Sequence, residues 1–142
     1  MNYWLVKSEP NTWSWDDHVT AGVAEWDGVR NYQANNNMKK MAEGDKAFFY
    51  HSVKEKSIVG TLEVVREHYP DPTDEAGRFG MVDFKALQPM PQPVSLQQIK
   101  QHPELQEIAL IKQSRLSVMP ITEKEWRIIC ELVGLDDMAQ SG

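Results

Sequence analysis

Two runs rich in β-branched and aromatic residues, KAFFYHS at 46–52 and SIVGTLEVVREHY at 57–69, are separated by only the four residues VKEK. So short a connection makes them neighbours in a hairpin. Both runs carry apolar side chains on two faces or nearly so, as strands do when a sheet is closed or strongly curved around a core. Whatever else the chain forms must wrap this hairpin.

The flanking segments supply the remaining layers. YWLVK at 3–7 reads as a short buried strand ended by Ser8-Glu9-Pro10, because proline cannot continue a ladder. A turn of helix follows near Ser14. Residues 31–42 suit a helix poorly in their Asn-rich middle and well from Met38 to Ala42, with Gly44 placed to terminate it. PDPTDEAG at 70–77 is a turn-rich loop whose proline and aspartates mark it as exposed, and FGMVDFKAL at 79–87 is a third strand of the sheet. Ser95 with Gln98, and Thr122 with Glu125, are capping-box pairs that start helical segments over about 95–111, broken near Pro103, and 122–133. RLSVMPI between them is a final strand. Strands mixed with short helices, without a βαβ rhythm or a repeat, predict an α+β domain on a small barrel.

At 142 residues the chain is one domain, large enough to bury a core without disulfide or metal staples. The domain is expected over 1–135, with 136–142 a frayed tail. No apolar run reaches the length of a membrane span, and the N-terminus lacks the basic start of a signal peptide, so a cytoplasmic address and no membrane partner are expected. The lone Cys130 sits in the apolar run WRIICELVGL and reads as a small buried side chain.

A net charge of −6 argues against a protein that grips nucleic acid by bulk electrostatics. The charge is uneven, however: residues 26–60 carry six bases against four acids, and 99–130 five against four. One face could meet an anionic partner while the rest stays acidic, although solvated surface charge explains the same counts.

GxGxxG, GxxxxGK[ST], GxSxG and HExxH are all missing, and His18, His51, His68 and His102 are scattered without ligand spacing. No metal, no cofactor and no catalytic residue is expected. What remains is a set of aromatics beside amides, hydroxyls and a lysine: Trp4, Lys7, Ser8, Glu9, Trp26, Asp27, Asn31, Tyr32, Gln33, Asn36, Tyr50, His51 and Ser52. Such groups hold a flat heteroaromatic ring by stacking and read its edge with amides that both donate and accept. Tryptophans in a small barrel are mostly core, and Trp4, Trp13 and Trp126 are placed there. Trp26 lies between Glu25 and Asp27-Gly28, in a turn rather than a periodic strand, and reads as either a pocket wall or core.

These residues also resemble a known family. YWLVKSEP at 3–10, WDGVRNYQANN at 26–36, GDKAFFYHS at 44–52, IVGTLEVV at 58–65, YPDPT at 69–73 and SRLSVMPI at 114–121 look like the successive motifs of the EVE domain. The resemblance implies a PUA-like fold, a twisted β-barrel with flanking short helices, related to the YTH readers of methylated adenine. It implies that Lys7, Ser8 and Trp26 line a base pocket, and that the ligand is a modified base, chiefly a modified cytosine, in DNA or RNA. Two departures stand out. Asn35 occupies the place of an arginine usual in the family, and the connection DEAGRFGMVD is shorter than the family's insert, so that Phe79 is expected to replace a tryptophan as the second aromatic wall.

The combined expectation is a non-enzymatic reader whose pocket draws on Lys7, Ser8, Trp26, Asn31, Tyr32, Gln33, Asn36, His51, Ser52 and Phe79. Arg30, Lys39, Lys40 and Lys54 would line the nucleic-acid backbone. The alternative is a small hydrolase of the ASCH type acting on a modified nucleoside, with Lys7 and Glu9 projecting to one side of the strand. The plainer reading of those two is an ordinary ion pair.

Overall fold

The structure, a computed structural model, describes residues 1–135. The expected tail, 136–142, lies outside the described residues. In chain order the elements are β1 (Tyr3–Ser8), α1 (Trp15–Ala21), β2 (Val23–Glu25), α2 (Tyr32–Lys39), β3 (Lys46–His51), β4 (Ser57–Pro70) and β5 (Gly80–Ser95). There follow α3 (Leu96–Gln101), a 3₁₀ turn at Pro103–Leu105, α4 (Ala109–Lys112), β6 (Val118–Ile121) and α5 (Glu123–Leu132).

The six strands form one mixed sheet in the order β2-β5-β4-β3-β1-β6. β1 runs parallel to β3, and every other pairing is antiparallel. The α+β, PUA-like architecture is the expected one, with a qualification: hydrogen bonds do not close the sheet into a barrel. β2 and β6 are its two edges, and α2 packs against β4, β5 and β6, spanning from one side of the gap to the other.

Every residue of β3 is buried, as its two-sided apolar pattern requires. Phe48 stacks on Trp126 of α5 with ring centroids 3.9 Å apart, while Phe49 on the opposite face meets Trp15 and Trp26 edge-on. Trp4 and Trp126 are core, as expected, and the Trp4 indole N–H donates to Asp45 at 3.1 Å. The β3–β4 register shifts between Phe49 and Tyr50, where a bulge lets Gly60 face Phe49. The Trp15 indole lies across that glycine so closely that a Cβ would sit 2.5 Å from it. Because Trp15 is buried and rigid, Gly60→Ala is expected to destabilise the fold by about 1–3 kcal/mol, read as a lower urea midpoint at unchanged m-value.

Three segments differ from the sequence reading. The Asn-rich stretch is the helix itself, ending at Lys39, and 40–42 lies beyond it. Asn31 caps it by accepting from Ala34 N–H at 2.9 Å. Asn35 and Asn37 are buried and bonded to other elements: Asn35 Oδ1 accepts from Gly80 N–H and His68 Nε2, and Asn37 Nδ2 donates to the Val118 carbonyl. In place of a family arginine, Asn35 thus ties α2 to the adjoining ends of β4 and β5. The strand 79–87 extends to Ser95 through Pro89, Pro91 and Pro93. β2 covers β5 only opposite Asp83–Lys85, so the later half has an uncovered edge where proline is tolerated. Finally, the 70–77 loop is not wholly exposed, because Asp71 is 3% exposed.

Candidate functional site

The gap between the sheet's edges holds a cleft of about 620 Å³. Lys7, Ser8 and Glu9 enter it from the end of β1, Ser117 from the approach to β6, and Ala24 and Glu25 from β2. The loop Trp26–Arg30 and the turn residues Thr12 and Trp13 complete the lining.

The turn after β1 places Trp13. Both Thr12 N–H and Trp13 N–H donate to the Glu9 carbonyl at 2.9 Å, and the Ser8 hydroxyl donates to the Trp13 carbonyl. The half-buried Trp13 indole donates from Nε1 to His18 Nδ1 at 3.0 Å, and His18 Nε2 in turn contacts the Phe84 carbonyl at 2.9 Å. A carbonyl accepts only, so Nε2 carries the proton and Nδ1 accepts: His18 is neutral in one tautomer. Burial pushes its pKa down, partly opposed by the Phe84 carbonyl.

That depressed value sets the response to acid. The unfolded imidazole, near its ordinary pKa of about 6.5, takes up a proton that the folded one refuses, so the unfolded state gains on acidification. Stability is therefore expected to fall as pH drops below about 6.5, by at most about 1.4 kcal/mol per pH unit for His18. His68 is lowered as well, by burial and then by the Lys39 charge, and adds the same sign. Thermal melts between pH 8 and pH 5 check this; a flat profile would overturn it.

Trp26 follows β2 directly, its N–H bonded to the Val82 carbonyl at 2.7 Å. It is both of the things its sequence context allowed. The ring is 7% exposed and packs edge-on against Phe49 and Phe84 with centroids 5.4 and 5.7 Å away, yet it lines the cleft. Its indole N–H makes no hydrogen bond to another described residue. The same is true of Trp15, but of the two only Trp26 lines the cleft.

Gly28 lets the loop turn back with φ +79°, a conformation that suits glycine. One buried carboxylate then holds the loop. Asp71 Oδ2 accepts from Gly28 N–H at 2.8 Å and from Arg30 at 3.2 Å, while Oδ1 accepts from Thr73 N–H at 2.8 Å and its hydroxyl at 2.6 Å. Burial alone would raise the Asp71 pKa, but the bonds from Thr73, Gly28 and Arg30 outweigh it and bring it to about 2. Asp27, on the cleft wall, moves the other way: desolvation first, then the negative charges of Asp71 and Glu25, raise it above the usual carboxylate value. Lys7 is half-buried and lowered by that burial, and its ammonium donates to the Ser114 carbonyl at 2.8 Å.

Of the residues expected at a pocket, Lys7, Ser8 and Trp26 come together in this cleft, as does Arg30. Arg30, expected on a nucleic-acid backbone, is instead engaged by Asp71 and Thr73. The others are placed elsewhere. Asn31 caps α2, Gln33 Nε2 donates to Gln113 Oε1 at 2.6 Å, and Asn36 faces solvent. Phe79 is not among the residues lining the cleft: it packs against Tyr32 with centroids 4.9 Å apart, and the aromatic that lines the cleft beside Trp26 is Trp13. His51 joins two elements, accepting from Trp15 N–H at 3.0 Å through Nε2 and bonding Glu55 at 3.1 Å through Nδ1. Ser52 N–H donates to the Ser8 carbonyl beside β1. Lys39, Lys40 and Lys54 are exposed and outside the cleft lining. Lys7 and Glu9 both line the cleft but form no ion pair with each other. Among the described residues no cluster of three or more His, Cys, Asp or Glu side chains is arranged to hold a metal ion.

Trp13 was read as core and Asp71 as part of an exposed loop, and neither was expected at the site. The available signals were the nearness of Trp13 to Lys7-Ser8 and the Asp-x-Thr spacing of Asp71 and Thr73, which lets one carboxylate accept from both Thr73 donors.

A family model described as the EVE domain matches residues 2–132. The chain belongs to the EVE domain family. Mouse thymocyte nuclear protein 1 is 34% identical over 165 residues, covering 92% of this chain and 73% of that protein. Among solved structures, a protein of Rhodopseudomonas palustris is 51% identical with a TM-score of 0.90, covering 95% of this chain and 94% of that one. The human THYN1 protein, solved in complex with DNA containing 5-methylcytosine, is 31% identical with a TM-score of 0.88, covering 93% of this chain and 97% of that one. An ASCH protein of Zymomonas mobilis shares the fold alone, at 14% identity and a TM-score of 0.57. Similarity to the human THYN1 protein is thus far closer than to the ASCH protein.

Proposed function

We propose that this EVE domain is a non-enzymatic reader of a modified base, of the 5-methylcytosine class, taken from DNA into the cleft between Trp26 and Trp13. The observation that carries the reading is that two indoles, those of Trp13 and Trp26, line one cleft of about 620 Å³, a size suited to a small flat ligand. The human relative's complex with 5-methylcytosine DNA supports the choice of ligand. Stacking on the indoles must repay the few kcal/mol that extruding a base costs. The free Trp26 N–H offers a donor for a base or sugar acceptor, and Asp27, Glu25 and Lys7 offer edge contacts of both signs.

The hydrolase reading has less to support it. Burial lowers the Lys7 pKa, but its ammonium is directed to the Ser114 carbonyl and has no carboxylate partner among the described residues.

Trp13 is the wall whose loss can be tested without collapsing the core, because it is only half-buried. Trp13→Ala is expected to weaken binding of a 5-methylcytosine oligonucleotide by about 1–3 kcal/mol in isothermal titration. The free modified nucleoside should lose affinity equally, since stacking needs no phosphate. Binding unchanged by Trp13→Ala would refute the proposed stacking, and equally weak binding to all bases, modified or not, would refute the reader.

A further inference from the structure

A second hollow of about 330 Å³ lies beside the cleft, lined by Asn31, Gln33, Gln113, Ser114, Arg115 and Leu116. The two share a thin wall at three points. Lys7 of the cleft donates to the carbonyl of Ser114 of the hollow at 2.8 Å. Arg30 and Asn31 are adjacent in the chain with one in each lining, and so are Ser117 and Leu116.

The chemistry of the hollow differs from that of the cleft. It contains no aromatic ring and no carboxylate. The amides of Gln33 and Gln113 bond to each other at 2.6 Å, which spends one donor and one acceptor. An amide carries one oxygen and two N–H groups, so the pair still presents an oxygen on one side and an N–H group on the other, whichever way the two are turned. Arg115 is exposed and has no ion-pair partner among the described residues, unlike Arg30, which Asp71 and Thr73 engage. An amide pair with mixed donors and acceptors beside a free guanidinium suits a base edge next to a phosphate.

We infer that this hollow receives the nucleotide adjacent to the base held in the cleft, with Arg115 on the intervening phosphate and the Gln33–Gln113 pair on the neighbouring base edge. The inference rests on the reader assignment and adds a sequence context to it: the domain distinguishes the neighbour of the modified base as well as the base itself. Because Lys7 of one lining is hydrogen-bonded to Ser114 of the other, and Arg30–Asn31 and Leu116–Ser117 straddle the boundary, the two sites adjoin as consecutive nucleotides require.

The experiment uses the full chain, 5-methyl-2′-deoxycytidine, and a set of short single strands with one 5-methylcytosine whose two neighbours are varied through all four bases. The nucleoside should bind, and the strands should differ in affinity by neighbour. Gln113→Ala should reduce that spread by about 3–10-fold, the worth of one neutral hydrogen bond, while leaving nucleoside affinity as it was. Arg115→Gln should weaken every strand alike and lower the magnitude of the salt slope by about 0.7. If the nucleoside and the strands bind but neighbour identity has no effect and both variants behave as wild type, the second site is wrong and the reader stands. If neither nucleoside nor strand binds, the reader falls and this inference with it.

Discussion

Replacing Asp71 by alanine is expected to destabilise the domain by about 3–5 kcal/mol and to abolish ligand binding together with it. The carboxylate is fully buried and serves Gly28 N–H, Arg30 and both donors of Thr73. Its removal takes a charged acceptor from those donors, at about 1.5–3 kcal/mol per hydrogen bond to a charged group, although the 40% exposed Arg30 side chain can turn to water. The loop carrying Trp26 and Asp27 would then have lost its tie to the start of the 71–79 connection. Denaturant unfolding measures the first effect. The contribution also has a pH signature: because the folded pKa is depressed to about 2, it is present in full above the ordinary aspartate value and is lost as pH falls toward 2. Asp71→Ala should accordingly show a shallower loss of stability between pH 4 and pH 2 than wild type. A variant as stable as wild type would mean that the loop is held by something else.

Trp26→Ala is the second large effect, and its two parts must be separated. The ring is almost wholly buried against Phe49 and Phe84, so truncation is expected to cost about 3–5 kcal/mol of folding stability, as for other large aromatic side chains removed from a core. Loss of binding in that variant is therefore ambiguous by itself. Trp26→Phe keeps an aromatic face but has no indole N–H. It should fold, retain part of the stacking, and lose the donor that no described residue engages. Measured by thermal unfolding and nucleoside titration on the same samples, the expected order of affinity is wild type, then Trp26→Phe, then Trp26→Ala. Equal affinity for wild type and a folded Trp26→Ala would place the ligand away from this residue.

How far the fold was legible follows from which forces acted locally. The capping pairs Ser95 with Gln98 and Thr122 with Glu125 start helices at those positions, because a cap is a contact among neighbours in sequence. The β3–β4 hairpin is likewise written in contiguous apolar runs. The Asn-rich helix was not legible, because asparagine side chains weigh against a helix until they find partners, and the partners of Asn35 and Asn37 lie on β4, β5 and β6. The three-residue β2 is too short to have a period, and it exists through its pairing with β5.

The site divides in the same manner. Lys7, Ser8 and Trp26 were found through family motifs, and the structure gathers them into one cleft. Trp13 was assigned to the core because aromatic residues usually are core. The structure places it, half-buried, in the cleft lining, held by the Nε1 bond to His18 and the turn at Glu9. Phe79 was assigned to the wall because it precedes the third strand where the family has a tryptophan, but in this chain Tyr32 occupies its face.

The unpaired edges of the sheet carry one more implication. In a closed barrel the last strand is zipped to the first by backbone bonds; here β2 and β6 have no such partners, and the cleft draws its lining from both sides of that break. A planar guest lodged there, as the proposed function requires, would touch residues of β2 and its following loop on one flank and of β1 and the approach to β6 on the other. It thus acts as a removable rung between them. Affinity for the guest and resistance of β2 to peeling from β5 become two readings of one free energy, so that a tighter guest leaves a less readily opened domain.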